Sequence, residues 1–211
     1  MTSQDVTGKK KADLKVVILG AANVGKTTLI HRYAKGVFSE HPNTLGASFT
    51  LKQWKNRNVA IWDTAGEERF QGLSNFYCRQ AGAAILAYDV TERKSFEELK
   101  TRFTQLLAAA EPNRLAVVVG TKHDLVEEKG KAVEREEAVL LAKQLNPNIS
   151  DYIPIFETSS LNGLGVTEVF ETIFEKCLRF DAIATHLVNS TIDLSAQKKA
   201  GSNNSKNNCA C

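Results

Sequence analysis

The residues best suited to chemistry begin at Gly20. In Gly20-Ala21-Ala22-Asn23-Val24-Gly25-Lys26-Thr27, two glycines frame a short run and a lysine and a hydroxyl follow. Glycine lets the backbone curl so that successive N–H groups point inward at phosphate oxygens. Lys26 adds an ammonium for the β- and γ-phosphates, and Thr27 adds a hydroxyl suited to Mg²⁺. The helix that opens here, through Thr28, turns its positive N-terminal end toward the same anion. Chance would produce this pattern in roughly 1% of chains of similar length. Its position between an apolar run and a helix-compatible stretch argues against chance.

Further residues complete a nucleotide site. Ile61-Trp62-Asp63-Thr64-Ala65-Gly66 places an aspartate at a strand end, where it can hold a Mg²⁺ water, and a glycine whose N–H can approach a γ-phosphate. Thr121-Lys122-His123-Asp124 offers a carboxylate at Asp124 for guanine's N1–H and N2 amino group. Adenine lacks both donors, so it would leave a buried charge unpaired. The stem of Lys122 can lie over the base plane. Backbone N–H groups of Ser159, Ser160 and Leu161 can bind the guanine carbonyl. Singly, the last three segments are ordinary turns; beside a phosphate loop they form a set.

The elements that must position these groups are legible from periodicity. Leu14–Leu19, Ala83–Val90, Leu115–Gly120 and Ile153–Phe156 read as buried strands. Residues 47–54 and 58–63 alternate like a hairpin with its turn at Lys55–Asn58. Phe96, Leu99, Phe103, Leu106, Leu107 and Ala110 keep one helical stripe, and Val166 through Leu178 keep another. Ala138, Val139, Leu141, Ala142 and Leu145 make a weaker third. Strands alternating with helices imply an α/β fold whose ligand sits at the carboxyl ends of a mostly parallel sheet.

The 211 residues suffice for one α/β domain with a tail. We divide them into an N-terminal extension (1–13), a nucleotide-binding domain (14–186) and a tail (187–211) too polar to bury a core. The net charge of +3 belongs to the ends: +1 over 1–13 and +2 over 187–211, leaving a neutral domain unlike a nucleic-acid binder. No apolar run is long enough for a transmembrane helix, and no secretory signal precedes the domain. Cys78 and Cys177 are isolated, which fits a reduced cytosolic protein without structural zinc. Cys209 and Cys211 end the chain as Cys-Ala-Cys.

Four elements in this order and spacing resemble the Ras superfamily of small GTPases over residues 14–180. Within it, Trp62-Asp63-Thr64-Ala65-Gly66-Glu67-Glu68-Arg69-Phe70, Thr44-Leu45-Gly46-Ala47-Ser48-Phe49, Tyr77-Cys78-Arg79 and the terminal Cys-x-Cys look like the Rab branch. The resemblance implies a six-stranded, mostly parallel sheet with one antiparallel strand and helices on both faces. It implies GTP and GDP with Mg²⁺ as ligands, Thr44 on the metal and γ-phosphate beside Thr27 and Asp63, and Phe38 packed edge-on to guanine. Phe49, Trp62 and Tyr77 match the aromatic triad that Rab effectors read. Cys209 and Cys211 match a dual prenylation site, because Asn208 excludes a CaaX box.

Implied partners are Rab-type effectors, an exchange factor, a GTPase-activating protein, a prenylation escort and a GDP-dissociation inhibitor. The resemblance also implies a monomer that holds the cytoplasmic face of intracellular membranes by its prenyl groups and keeps a cytosolic pool. The chain departs from the family at Glu67, where Gln usually positions the attacking water, and at Thr121 and Leu161, where Asn and Lys are usual. Phe38 to Thr44 is one residue shorter than in common Rabs, and the hairpin between Phe49 and Trp62 about four, as in a small atypical subset. A carboxylate accepts hydrogen bonds but cannot donate them as an amide does. The first reading is therefore a slow GTPase switch in vesicle traffic. The second is a hydrolysis-deficient, GTP-bound effector platform.

Overall fold

Leu14–Leu19 forms the central strand β1, and its side chains from Val16 to Leu19 are fully enclosed. A run without a polar face needs cover on both sides, which a parallel sheet flanked by helices supplies. The computed structural model describes residues 12–41, 44, 46–66, 76–149 and 151–178. Glu67, Cys209, Cys211 and the whole 187–211 tail lie outside the described residues, as do residues 1–11 of the N-terminal extension.

The remaining strands are β2 (Ala47–Trp54), β3 (Arg57–Thr64), β4 (Ala83–Asp89), β5 (Leu115–Thr121) and β6 (Ile155–Glu157). They form one six-stranded sheet in the order β2-β3-β1-β4-β5-β6. All pairs are parallel except the β2–β3 hairpin, as expected from the sequence. The hairpin turn is tighter than expected: Trp54 pairs with Arg57, leaving only Lys55 and Asn56 between them. Lys55 takes a left-handed φ of 51° to close it. The sixth strand begins at Ile155, two residues later than the apolar run beginning at Ile153 suggests.

Helices pack around the sheet. Helix α1 (Lys26–Lys35) lies on β3, α2 (Arg93–Glu98) on β4 and α3 (Arg135–Leu145) on β5. A fourth helix, α4, covers 166–178 and buries Val166, Val169, Phe170, Ile173, Phe174 and Leu178. The stripe from Phe96 to Ala110 departs from the single helix its period suggests. After α2 it widens into a π-helical stretch, Leu99–Phe103, then narrows to a 3₁₀ turn at Leu107–Ala109. Thr101 and Thr104 donate their hydroxyls to the carbonyls of Glu97 and Lys100, and such back-bonding distorts helices.

One side chain ties the hairpin to the helices. The Glu171 carboxylate on α4 accepts Tyr33 OH at 2.9 Å and the Trp54 indole N–H at 2.6 Å. Tyr33 stacks on Phe170 with centroids 4.2 Å apart, and Trp54 meets Phe174 edge-on at 5.8 Å. The outer hairpin strand is thereby anchored at its far end, while its start, beside Gly46, lies near the loops at the strand ends.

Candidate functional site

In this strand order the chain leaves β1 toward the β2–β3 hairpin and leaves its neighbour β4 toward β5, so the connections at the carboxyl ends of these two strands diverge. A crevice opens there. The chain turns at Gly20, whose φ is 151° and whose missing Cβ would stand 2.2 Å from the Ala87 carbonyl oxygen on β4. No other residue could pass so close to that strand. The loop then wraps over the crevice, and α1 starts at Lys26 after Gly25 in a left-handed conformation.

A cavity of about 500 Å³ occupies the crevice. One side is the loop itself, with Ala22, Asn23, Gly25, Lys26, Thr27 and Thr28. Lys26 is buried, and its Nζ donates to the carbonyls of Gly20 at 2.9 Å and Ala21 at 2.6 Å. Burial pulls its ammonium down to about 8, against the opposing pull of the Asp63 carboxylate. Such a cation gains strongly from an anionic ligand. Gly20 and Val24 shape the loop from behind and do not line the cavity.

Beside Lys26, three oxygen groups from distant segments converge. Thr27 Oγ1 donates to Asp63 Oδ2 at 2.7 Å and lies 2.8 Å from Thr44 Oγ1. Thr44 Oγ1 is 3.3 Å from the same carboxylate oxygen. The other oxygen, Asp63 Oδ1, is buried without a partner. Burial raises the Asp63 carboxyl above its ordinary range, only partly offset by Thr27 and Lys26. An all-oxygen donor set with an orphaned carboxylate oxygen fits a hard cation such as Mg²⁺. Gly66 closes this end: a Cβ there would stand 2.3 Å from the backbone of Ala21 and Ala22, so only glycine lets this segment lie on the loop.

The opposite end is built from the β5 and β6 connections. Lys122, Asp124, Leu125, Ser160 and Leu161 line it, and Phe38 also lines the cavity. The Ser159 hydroxyl donates to Asp124 Oδ1 at 2.5 Å and so orients the carboxylate; Ser159 itself is buried and does not line the cavity. Lys122 holds a left-handed φ of 59°. Its Nζ pairs at 2.8 Å with Asp89 Oδ2, while Thr91 donates its N–H and hydroxyl to Asp89 Oδ1. Burial pushes the Asp89 carboxyl upward, yet the hydrogen bonds from Lys122 and Thr91 hold it below the ordinary range.

Thr121 joins the two ends. Its hydroxyl lies 2.5 Å from the Val24 carbonyl of the loop and 2.8 Å from the Tyr88 carbonyl of β4. One hydroxyl proton serves both acceptors. Thr121→Val keeps the shape and removes that proton. We expect a stability loss of about 1–2 kcal/mol, read from urea denaturation. Unchanged midpoints would show that the hydroxyl does not tie the loop to the sheet.

Sequence reasoning missed Asp89, Glu40 and His41. Glu40 and His41 line the cavity, and His41 Nε2 lies 2.9 Å from Ser39 Oγ, itself 3.3 Å from His31 Nδ1. No motif announces them; Asp89 is distinguished only as a carboxylate ending an otherwise apolar buried strand. Outside the cavity, Phe49 and Trp62 are register partners across the hairpin, with rings 5.4 Å apart, and Trp62 meets Tyr77 at 5.7 Å. Phe49 is 62% exposed, too much for a core residue.

A phosphate loop between a central parallel strand and the first helix, with a strand-end Asp facing it, defines a P-loop α/β protein. Residues 15–179 match the Ras family, and the chain belongs to that family of small GTPases. Its similar relatives are Rab proteins. Human Ras-related protein Rab-20 is 39% identical over 198 residues, covering 79% of this chain and 85% of that one. Ras-related protein Rab-24 of Dictyostelium discoideum is 39% identical over 204 residues, covering 92% and 98%. The Ypt/Rab-type GTPase YPT7 of Saccharomyces cerevisiae is 36% identical over 220 residues, covering 98% and 100%.

Proposed function

We propose that the chain binds GTP and GDP with Mg²⁺, hydrolyses GTP slowly and serves as a nucleotide-dependent switch in Rab-type membrane traffic. The observation that carries the reading is one cavity with a buried ammonium and convergent oxygen donors at one end and an oriented carboxylate at the other. In this reading the loop from Gly20 to Thr28 cradles the phosphates. Thr27, Thr44 and Asp63 would hold Mg²⁺, which would supply positive charge against the phosphates. Gly66 and Thr44 sense the γ-phosphate. Lys122 and Phe38 flank the base, Asp124 reads its N1–H and N2, and the Ser159–Leu161 segment meets its carbonyl. Phe49, Trp62 and Tyr77 present the surface that effectors recognise.

Competition of ATP, GTP and GDP against a labelled guanine nucleotide, with and without Mg²⁺, tests the reading. GTP and GDP should displace the label and ATP should not. Equal displacement by ATP, or no binding at all, would end it.

Glu67 stands where a water-positioning amide is usual. If that position faces the γ-phosphate, as the family resemblance implies, a carboxylate there would be repelled by about 4 kcal/mol at 4 Å for an effective dielectric near 20, before screening. Single-turnover hydrolysis by Glu67→Gln against the wild type reads its role: a rise follows if the charge repels the phosphate, a fall if the carboxylate acts as a base on the water, and equal rates would remove Glu67 from the reaction. Freshly purified protein should carry GDP, and bound GTP would instead favour the hydrolysis-deficient platform.

We assign residues 14–186 to the nucleotide domain and 187–211 to a tether ending in prenylated Cys209 and Cys211, with residues 1–13 as an extension. Two long chains anchor stably where one is marginal, at about 0.8 kcal/mol per buried CH₂. Among the described residues no helix is long and apolar enough to cross a membrane. A prenylation escort and a GDP-dissociation inhibitor would then maintain a cytosolic pool beside the membrane-bound one. The exchange factor and activating protein would set the nucleotide state. Changing both Cys209 and Cys211 to Ser should move the protein wholly to the cytosolic fraction; unchanged membrane fractionation would defeat the anchor.

A further inference from the structure

A second cavity, of about 570 Å³, shares Trp62 with the aromatic row and shares no lining residue with the nucleotide cavity. Its apolar walls are Trp62 and Phe76, with the small side chains of Ala109 and Ala110 leaving room between them. Phe76 is 61% exposed and meets Tyr77 edge-on at 5.8 Å, so apolar surface runs on from the row into this cavity. Contiguous exposed apolar surface of this kind marks interaction sites.

Two cations and one carboxylate line the cavity, so its charge is net positive. Lys15 Nζ stands 4.7 Å from the Trp62 ring centroid and spends one of its three donors on the Arg79 carbonyl at 2.8 Å. The Arg79 guanidinium is exposed on the same rim. Among the described residues no carboxylate lies within ion-pair distance of either cation; Glu111, also on the rim, reaches neither. Desolvation pulls the Lys15 ammonium below its ordinary value, against a weaker opposing pull from the Cys78 thiol. Gln80, on the same wall, holds a left-handed φ of 58°, the kind of backbone strain that gathers at ligand clamps.

We propose that this cavity takes a segment of a partner protein carrying a carboxylate side chain close to an apolar one. The carboxylate meets the Lys15 ammonium and the Arg79 guanidinium, which no carboxylate pairs with among the described residues. The apolar side chain lies on Trp62 and Phe76, over Ala109 and Ala110. The proposal extends the effector reading and rests on it for Trp62 alone, because every other contact is the cavity's own.

The test is to pan a random displayed-peptide library against the full chain loaded with a non-hydrolysable GTP analogue and, separately, with GDP. Enriched peptides should share an Asp or Glu within a few positions of a Leu, Phe or Trp. Arg79→Glu should weaken the tightest of them about tenfold or more, Arg79→Lys far less, with GDP dissociation unchanged in both. If Arg79→Glu disturbs GDP dissociation, Lys15→Gln carries the same expectation. No enrichment, enrichment of peptides without an acid (phosphopeptide mimics included), or indifference to both charge variants would overturn the proposal. Phe49→Ala separates the two readings. Loss of binding there but not in Arg79→Glu would leave the aromatic row standing and remove the cavity. The reverse would leave the cavity standing whatever becomes of the row.

Discussion

Asp124→Asn is expected to lower GDP and GTP affinity by roughly 10²–10⁴-fold and to turn base preference toward xanthine. The carboxylate is placed to accept two hydrogen bonds from guanine, and a hydrogen bond to a charged group is worth about 1.5–3 kcal/mol. The substitution weakens one of these bonds to a neutral one and sets a donor against guanine's donor at the other, about 3–6 kcal/mol together, and each 1.4 kcal/mol is a factor of about ten. An asparagine amide offers one acceptor and one donor group in place of two acceptors. It therefore meets a donor where guanine presents a second donor, and it matches the carbonyl that xanthine carries at the same carbon. Ser159 can donate to an amide oxygen as it does to Asp124 Oδ1, so the local geometry should survive the change. Competition binding with GDP and XDP reads the result directly. Undiminished GDP affinity would show that Asp124 does not face the base.

Lys26→Ala should have a comparable effect on affinity and little effect on folding. The ammonium is buried beneath the loop and held by the carbonyls of Gly20 and Ala21. Burial destabilises the charged form, as its lowered value of about 8 reflects. The folded chain therefore gains little from this cation by itself. A polyphosphate would gain charge-assisted hydrogen bonds from it, about 1.5–3 kcal/mol each. We expect at least a hundredfold loss of GTP affinity, measured by titration in Mg²⁺ buffer. Urea denaturation of the nucleotide-free chain should shift by less than about 1 kcal/mol, because relief of desolvation offsets the two lost hydrogen bonds. Equal losses of stability and affinity would recast Lys26 as a structural strut.

The contrast between these two residues and Thr121 bears on how far a site can be read from a chain. Lys26 belongs to a contiguous run whose backbone conformation is set by its own glycines, and Asp124 to a turn directly after a buried strand. Both are local statements, and local chemistry is written in order along the sequence. Thr121 looks like a weakened version of the usual Asn. Its importance comes from Val24 and Tyr88, residues far away in the chain, whose carbonyls share its hydroxyl proton. Asp89 carries no motif, yet it fixes the ammonium of Lys122. The Glu171 clamp on Tyr33 and Trp54 spans most of the domain and could not be inferred from any window of residues.

The sequence by itself determined the alternation of strand and helix, the phosphate loop, the hairpin and the strand ends at which the chemistry gathers. Those features follow from periodicity and from glycine's conformational freedom, which act over a few residues. Only the tertiary structure decided which distant groups meet: the Thr27–Thr44–Asp63 cluster with its orphaned oxygen, the Asp89–Lys122 pair, and the cationic, aromatic-walled cavity beside Trp62. The physical reason is that an apolar pattern says that a side chain must be buried but not against what. Partners are chosen by strand order and register, and those are settled only when the whole sheet closes its core.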